Sequence, residues 1–222
     1  MSDDLNAALR PTALIDADHA DVVAFAATVS GQLDDPVEIA QALYLAVRDG
    51  FRYDPYKIDL STGGIKASRV LADGHGWCVT KSSLLAAACR SRGVPARVGY
   101  ADVRNHLSTE RLRAMIGTDD YVWHGYTSIF LGGRWCKATP AFNRGLCEKL
   151  GLVPLEFDGR SDSLYQEFDG QGRRHLEYVR QRGDYDDVPI EQIRAAFRLH
   201  YPMLVSLAQA DFDQDVSRET RS

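Results

Sequence analysis

Four cysteines and six histidines are the residues of this chain best suited to covalent or acid–base chemistry. One cysteine stands apart. Cys78 follows His75-Gly76-Trp77 and opens Val79-Thr80-Lys81-Ser82-Ser83-Leu84-Leu85-Ala86-Ala87-Ala88-Cys89-Arg90, which ends at Gly93 and Pro95. That Ala/Leu-rich pattern predicts a helix with Cys78 in its first turn. Unsatisfied N–H groups and the positive end of the helix dipole favour a thiolate there, lowering the thiol pKa from about 8.5. The same N–H groups could receive an oxyanion. A lone cysteine otherwise packs as a small buried hydrophobe. That is the reading for Cys89 within the helix, Cys136 in a strand and Cys147 after a loop.

A nucleophilic thiol needs a base. His19, His175 and His200 lie in polar surroundings and read as surface residues. His75, Cys78 and His106 offer a zinc reading, but no second close pair completes four ligands, so no metal is expected. His124 lies on a predicted strand between Trp123 and Gly125-Tyr126. Gly132-Gly133 is a two-residue hairpin signal that sets Leu131 opposite Arg134. Extending that register puts His124 opposite Ala141, with Thr139 and Asn143 as diagonal neighbours on its face. Such neighbours have Cα atoms about 7–8 Å apart, within side-chain reach. Either could hold the second imidazole nitrogen and complete a nucleophile, base and orienting residue. Pro140 removes a ladder donor and weakens the register beyond Thr139.

The elements that must position these residues follow from capping and periodicity. Val22, Val23, Phe25, Ala26 and Val29 have helical spacing before Gly31. Asp35, Pro36 and Glu38 form a start signal for a helix carrying Ile39, Leu43, Tyr44 and Val47 to Gly50. A Tyr-rich stretch from Phe51 to Tyr56 leads to a short helix through Val70 and Leu71. Ala96–Val103 reads as a strand, Leu112–Ile116 as a short helix opened by Ser108, and Val122–Leu131 with Arg134–Thr139 as a hairpin. Cys147 to Asp187 reads as loop, Pro189 starts an amphipathic helix with Ile190, Ile193 and Phe197, and DFDQDVSRETRS reads as frayed. Helices first and an antiparallel sheet after them give an α+β layout.

Composition narrows the partners. The chain has 222 residues, 45% hydrophobic and 26% charged, with a net charge of −5 and no long basic block. That argues against a nucleic-acid binder. No apolar run approaches the roughly 20 residues of a membrane span. The N-terminus lacks the basic and apolar regions of a secretory signal, so a cytoplasmic location with reduced thiols is expected.

Gly76-Trp77-Cys78, Leu84-Leu85, Arg90-Ser91-Arg92-Gly93-Val94-Pro95-Ala96-Arg97, His124, Gly133-Arg134-Trp135 and Thr139-Pro140 together resemble the transglutaminase-like superfamily. A subfamily pattern extends the likeness through Pro154 to Gly159. The resemblance implies a papain-like core, with a catalytic-cysteine helix packed on an antiparallel sheet. It also implies Cys78 as nucleophile and His124 as base. The expected organisation is one domain over residues 1–204, with a core at about 51–143 and extensions at 1–50 and 144–204, then a tail at 205–222. The family usually has Asp before the proline, where this chain has Thr139. A hydroxyl can fix a tautomer but cannot stabilise an imidazolium as a carboxylate does. Asn143 is the alternative third member, and Asp102 and Asp119 are further carboxylates to place. A papain-type oxyanion glutamine is absent, since Ala72 stands six residues before Cys78. The Cys78 N–H with Trp77, His75, Tyr53 or Tyr56 is the expected substitute.

The implied activity is acyl transfer from an amide-containing or peptide substrate through a Cys78 thioester, without a cofactor. No calcium loop of the D-x-[DN]-x-[DN]-G kind is present. The rival reading is a non-catalytic binding module whose third member has been lost.

Overall fold

The computed structural model describes residues 3–106, 108–165, 176–202 and 210–220. His175 therefore lies outside the described residues. Element order is α1 (Asp3–Ala7), α2 (Ala20–Ser30), α3 (Pro36–Gly50), β1 (Arg52–Tyr53), α4 (Ala67–Asp73), β2 (His75–Gly76) and α5 (Cys78–Ser91). There follow β3 (Ala96–Asn105), α6 (Glu110–Ile116), β4 (Asp120–Leu131), β5 (Arg134–Ala138), α7 (Arg144–Leu150), β6 (Leu176–Tyr185), α8 (Ile190–His200) and α9 (Phe212–Glu219). The antiparallel sheet runs β5-β4-β3-β6, and β1 and β2 form a separate parallel pair. The fold is α+β, with helices packed against the antiparallel sheet, as expected.

The central element is α5. Every residue from Cys78 to Arg90 is buried, so this helix has no solvent face and must be enclosed on all sides. Its Ser and Ala positions are small enough to let α2, α3 and α4 approach from one side and β4 from the other. Thr127 on β4 donates its hydroxyl proton to the Ser82 carbonyl at 2.9 Å. At the far end, the buried Arg90 guanidinium donates to the carbonyls of Ala96, Arg10 and Asp186 at 2.9, 2.7 and 2.7 Å. The helix is fixed in position at both ends.

The start of α3 follows its sequence signal: Asp35 accepts from the Val37 and Glu38 N–H groups at 2.7 and 3.3 Å. Gly132 and Gly133, at φ +57° and +84°, make the tight turn that pairs Leu131 with Arg134. The register runs to Thr127 opposite Ala138 and stops there. Beyond it, Thr139 donates its N–H to Ser163, and Ala138 forms a parallel bridge with Ser163. Proline at the next position has no N–H with which to continue the ladder. Ala141 is therefore not the strand partner of His124, which pairs instead with Ala101 on β3.

Three other expectations are corrected. The cap of α6 is Thr109, which accepts from the Leu112 N–H at 3.2 Å, and not Ser108. The stretch read as loop holds α7 and the long edge strand β6. The segment read as frayed contains α9, capped by Asp211, with Phe212, Asp215 and Val216 buried. No helix among the described residues is long and apolar enough to cross a membrane.

Candidate active site

Cys78 is the first residue of α5. Trp77 precedes it in extended conformation (φ −115°, ψ 179°) and donates its N–H to Thr80 Oγ1 at 3.1 Å. The helix therefore starts abruptly, with its first N–H groups directed at the thiol side. Gly125 on β4 sits against this turn. A Cβ there would lie 2.9 Å from Val79 Cα and 3.0 Å from the Cys78 carbonyl oxygen. Only glycine permits such a close backbone approach. The nearby Gly125 N–H favours the ionised form of the Cys78 thiol, although burial outweighs it.

Lys81, one turn after Cys78, fixes the flanking segments. Its buried ammonium donates to the carbonyls of Arg48, Phe51 and Ala141 at 2.9, 2.7 and 2.8 Å. Burial pushes this pKa down to about 7. Three carbonyls nonetheless match the three N–H bonds of an ammonium, whereas a neutral amine has two. Phe51 leads to Tyr53 and Ala141 follows Pro140, so Lys81 ties both segments to the cysteine helix.

His124 is presented by a bulge. Between the pairs Ala101–His124 and Val103–Tyr121, β4 places Val122 and Trp123 against Asp102 alone. Trp123 has φ +61°, the one positive value outside glycine among the described residues, a conformation that strains a bulky side chain. Asp102 stabilises it by accepting the Trp123 N–H at 3.1 Å. Arg182 on β6 then grips Asp102 at 2.5 and 2.8 Å and lies 4.6 Å from the Trp123 ring. The bulge turns the strand immediately before His124, which is 6% exposed.

Cys78 and His124 line one cavity. A narrow cavity of about 50 Å³, continuous with solvent, lies among them and the side chains of Tyr53, Trp77, Leu112 and Phe197. Cys78 is 7% exposed, and burial pushes its thiol up to about 11 against the opposing N–H groups of Gly125, Val79 and Cys78 itself. The expected lowering at the helix mouth is thus outweighed by desolvation, which disfavours the charged form.

The other candidates separate. Thr139 is fully buried near the Tyr178 hydroxyl, without a well-formed hydrogen bond between them. Tyr178 and Tyr165 flank the His124 ring, each with its centroid 6.4 Å away. Asn143 instead accepts the Tyr53 N–H at 3.0 Å. Asp102 and Asp119 are both engaged by arginines, Arg182 and Arg113. Trp77 and Tyr53 lie on the cavity wall, and the Tyr53 phenol is pushed well above its ordinary value by burial and then by Cys78.

His75 and Tyr56 are not on that wall. His75 faces a separate hollow beside Asp73 and Thr80, and the Tyr56 hydroxyl is taken by Thr109 and Asp215 at 2.7 and 3.0 Å. His106 contacts Glu177 at 2.8 Å, and His19 and His200 are exposed. No group of three or more His, Cys, Asp or Glu among the described residues could hold a metal ion. Cys89, Cys136 and Cys147 are free and fully buried.

Sequence reasoning missed Lys81, the Trp123–Asp102–Arg182 clamp and the two tyrosines beside His124. Only Lys81 left a signal, as a charged residue inside an otherwise Ala/Ser/Leu helix.

A search of the curated proteins found no match. Among solved structures, a protein from Cytophaga hutchinsonii provisionally named a cysteine protease shares the fold. It has 17% identity and a TM-score of 0.50, over 63% of this chain and 43% of that one. A protein from Parabacteroides distasonis provisionally named a protease has 15% identity and a TM-score of 0.40, over 57% and 26% of the two chains. This chain thus spans less than half the length of either. The family model of the transglutaminase-like superfamily matches residues 23–140, from inside α2 to the proline after β5, and takes in both Cys78 and His124. With more than half its length in that match, including the cysteine helix and the histidine strand, the chain belongs to the transglutaminase-like superfamily.

Proposed function

We propose that this protein is a cysteine hydrolase or acyltransferase that acts on amide bonds through a thioester on Cys78, with His124 as its base. One observation carries the reading: the first-turn thiol and the strand histidine line the same cavity. Because burial holds the thiol neutral, proton removal accompanies attack and no preformed ion pair is needed. The sulfur bonds to the amide carbonyl carbon while His124 takes the thiol proton. The carbonyl oxygen becomes an oxyanion facing the Cys78 N–H and Tyr53. The C–N bond then breaks, and His124 gives its proton to the leaving amine. Water, or a second amine, attacks the thioester with His124 again taking the proton. The S–C bond breaks, the sulfur regains a proton, and an acid or a new amide leaves.

Thr139, at the position of the family's aspartate, fits a role in fixing the site around Tyr178 and His124 without adding charge. Asn143 fits a structural role as the acceptor for Tyr53. The substrate is an amide-containing compound or peptide, with no metal or cofactor in the cycle. The test is acylation by p-nitrophenyl acetate, read by mass spectrometry. An acetyl group on the Cys78 peptide, lost in Cys78→Ser, supports the reading; ester turnover without that adduct contradicts it.

A binding module is the second reading, favoured by the raised thiol and by Thr139 in place of a carboxylate. It predicts an intact cavity and no acyl-enzyme.

A further inference from the structure

The cavity walls are apolar well beyond what holding a thiol and an imidazole requires. Among the described residues that line it there is no Lys, Arg, Asp or Glu. One side is Val103 with Leu112 and Ile116 of α6. A second group of lining residues is Leu176, Phe197 and Tyr201, from β6 and the end of α8. Two of the three wall tyrosines, Tyr201 and Tyr121, have their hydroxyls already engaged. The Tyr201 hydroxyl accepts the Val122 N–H at 2.5 Å and donates to the Asp120 carbonyl at 3.1 Å, and the Tyr121 hydroxyl is paired with that of Ser108. These two tyrosines therefore offer their rings to the space, and the uncharged polar residues on the wall besides Cys78 and His124 are Tyr53 and Asn105. Phe197 also packs on Trp77, with centroids 5.7 Å apart, directly beside the cysteine.

We infer that the site selects an acyl donor whose acyl portion is uncharged and apolar, and that the wall residues from β6 and α8 set this choice. The inference rests on Cys78 being the nucleophile of the cavity. It goes further in naming the substrate class and the part of the chain that selects it. Leu176, Phe197 and Tyr201 all lie beyond residue 140, where the family match ends, so selectivity resides in a segment outside the matched core. A charged acyl group would lose its water here and meet no counter-charge. An aliphatic or aromatic one gains by burial, with each methylene contributing about a fourfold preference.

The experiment uses the intact chain and alkyl methanethiosulfonates, which modify a thiol without needing catalytic turnover. Methyl, propyl and butyl reagents are compared with the anionic sulfonatoethyl and cationic trimethylammonioethyl reagents. Rates at Cys78 are read by mass spectrometry and divided by those for 2-mercaptoethanol. The expected result is a rising relative rate from methyl to butyl, with both charged reagents at least tenfold slower than propyl. Ile116→Asp should shift the cationic-to-anionic ratio about tenfold toward the cation, and Phe197→Ala should flatten the chain-length preference. Equal relative rates for neutral and charged reagents would overturn the inference. So would no modification by any neutral reagent, because a cavity that admits nothing selects nothing. Failure of the catalytic reading has a different signature: reagent selectivity persists while p-nitrophenyl esters leave no acyl group on Cys78.

Discussion

Lys81→Met removes the tie between the cysteine helix and the two segments that flank the site. The substitution keeps the length of the side chain but leaves the carbonyls of Arg48, Phe51 and Ala141 without their donor. Hydrogen bonds to a charged group contribute about 1.5–3 kcal/mol each, and a stranded buried acceptor costs about 1–3 kcal/mol. Against these stands relief of the ammonium's desolvation, several kcal/mol in its own right. The net loss expected for breaking such a buried charged network is about 3–5 kcal/mol. With a urea m-value of about 2–3 kcal/mol per molar, the unfolding midpoint should fall by about 1–2.5 M. In folded variant protein, acylation of Cys78 should slow as well, because Phe51 and Ala141 lead to Tyr53 and Phe142 on the cavity wall. A midpoint within about 0.3 M of the wild type, with unchanged acylation, would refute the idea that Lys81 organises the site.

Gly125→Ala forces a methyl group to within 2.9 Å of Val79 Cα; overpacking of this kind costs about 1–3 kcal/mol. It should also slow Cys78 acylation more than tenfold, and unchanged stability and rate would contradict the close-approach argument. Asp102→Ala leaves the Trp123 N–H and Arg182 without their acceptor, for a loss of about 1–3 kcal/mol in urea unfolding. Acylation at neutral pH should fall with it, and Asp102→Asn should restore part of both because its amide oxygen still accepts from Trp123. Indifference to Asp102→Ala would show that the bulge does not need its clamp. Burial raises the thiols of Cys78, Cys89 and Cys147 from 9.0 to about 11, about 12 and about 11. The unfolded chain therefore releases these protons first, and their contribution to stability is lost as pH rises from about 9 toward 11. Urea midpoints of reduced protein at pH 8 and pH 10 should fall less steeply for Cys89→Ala than for the wild type; identical slopes would contradict this.

Local signals in the sequence carried much of the fold. The Asp35-Pro36 start of α3 and the Gly132-Gly133 turn act through neighbouring backbone, so residue type suffices to place them. The same turn fixed the β4–β5 register as far as Ala138, and Pro140 ended it as its missing donor requires. What escaped depends on distant partners. The β6 segment LEYVRQRGDY is charged because it lies at a sheet edge, where such residues discourage further pairing, so its alternation is weak. In α9 the apolar face is confined to Phe212 and Val216. Asp215 is buried only because Tyr56 and Arg111 reach it from elsewhere in the chain. At the candidate site, the helix that opens on Cys78 and the strand that carries His124 were legible from a helix start and a strand pattern. The surroundings of His124 were not, because Tyr165, Tyr178 and the Asp102–Arg182 clamp come together only through tertiary packing.

The central claim is that His124 takes the proton of Cys78 as the sulfur attacks. The most direct measurement is the rate of Cys78 acylation by p-nitrophenyl acetate, from pH 6 to pH 11, in the wild type and in His124→Gln. A positioned general base contributes about 10²–10⁴-fold. The His124→Gln rate should therefore be at least a hundredfold lower near pH 7.5, with the gap narrowing as the thiol ionises by itself toward its raised pKa of about 11. Equal rates at pH 7.5 would contradict it.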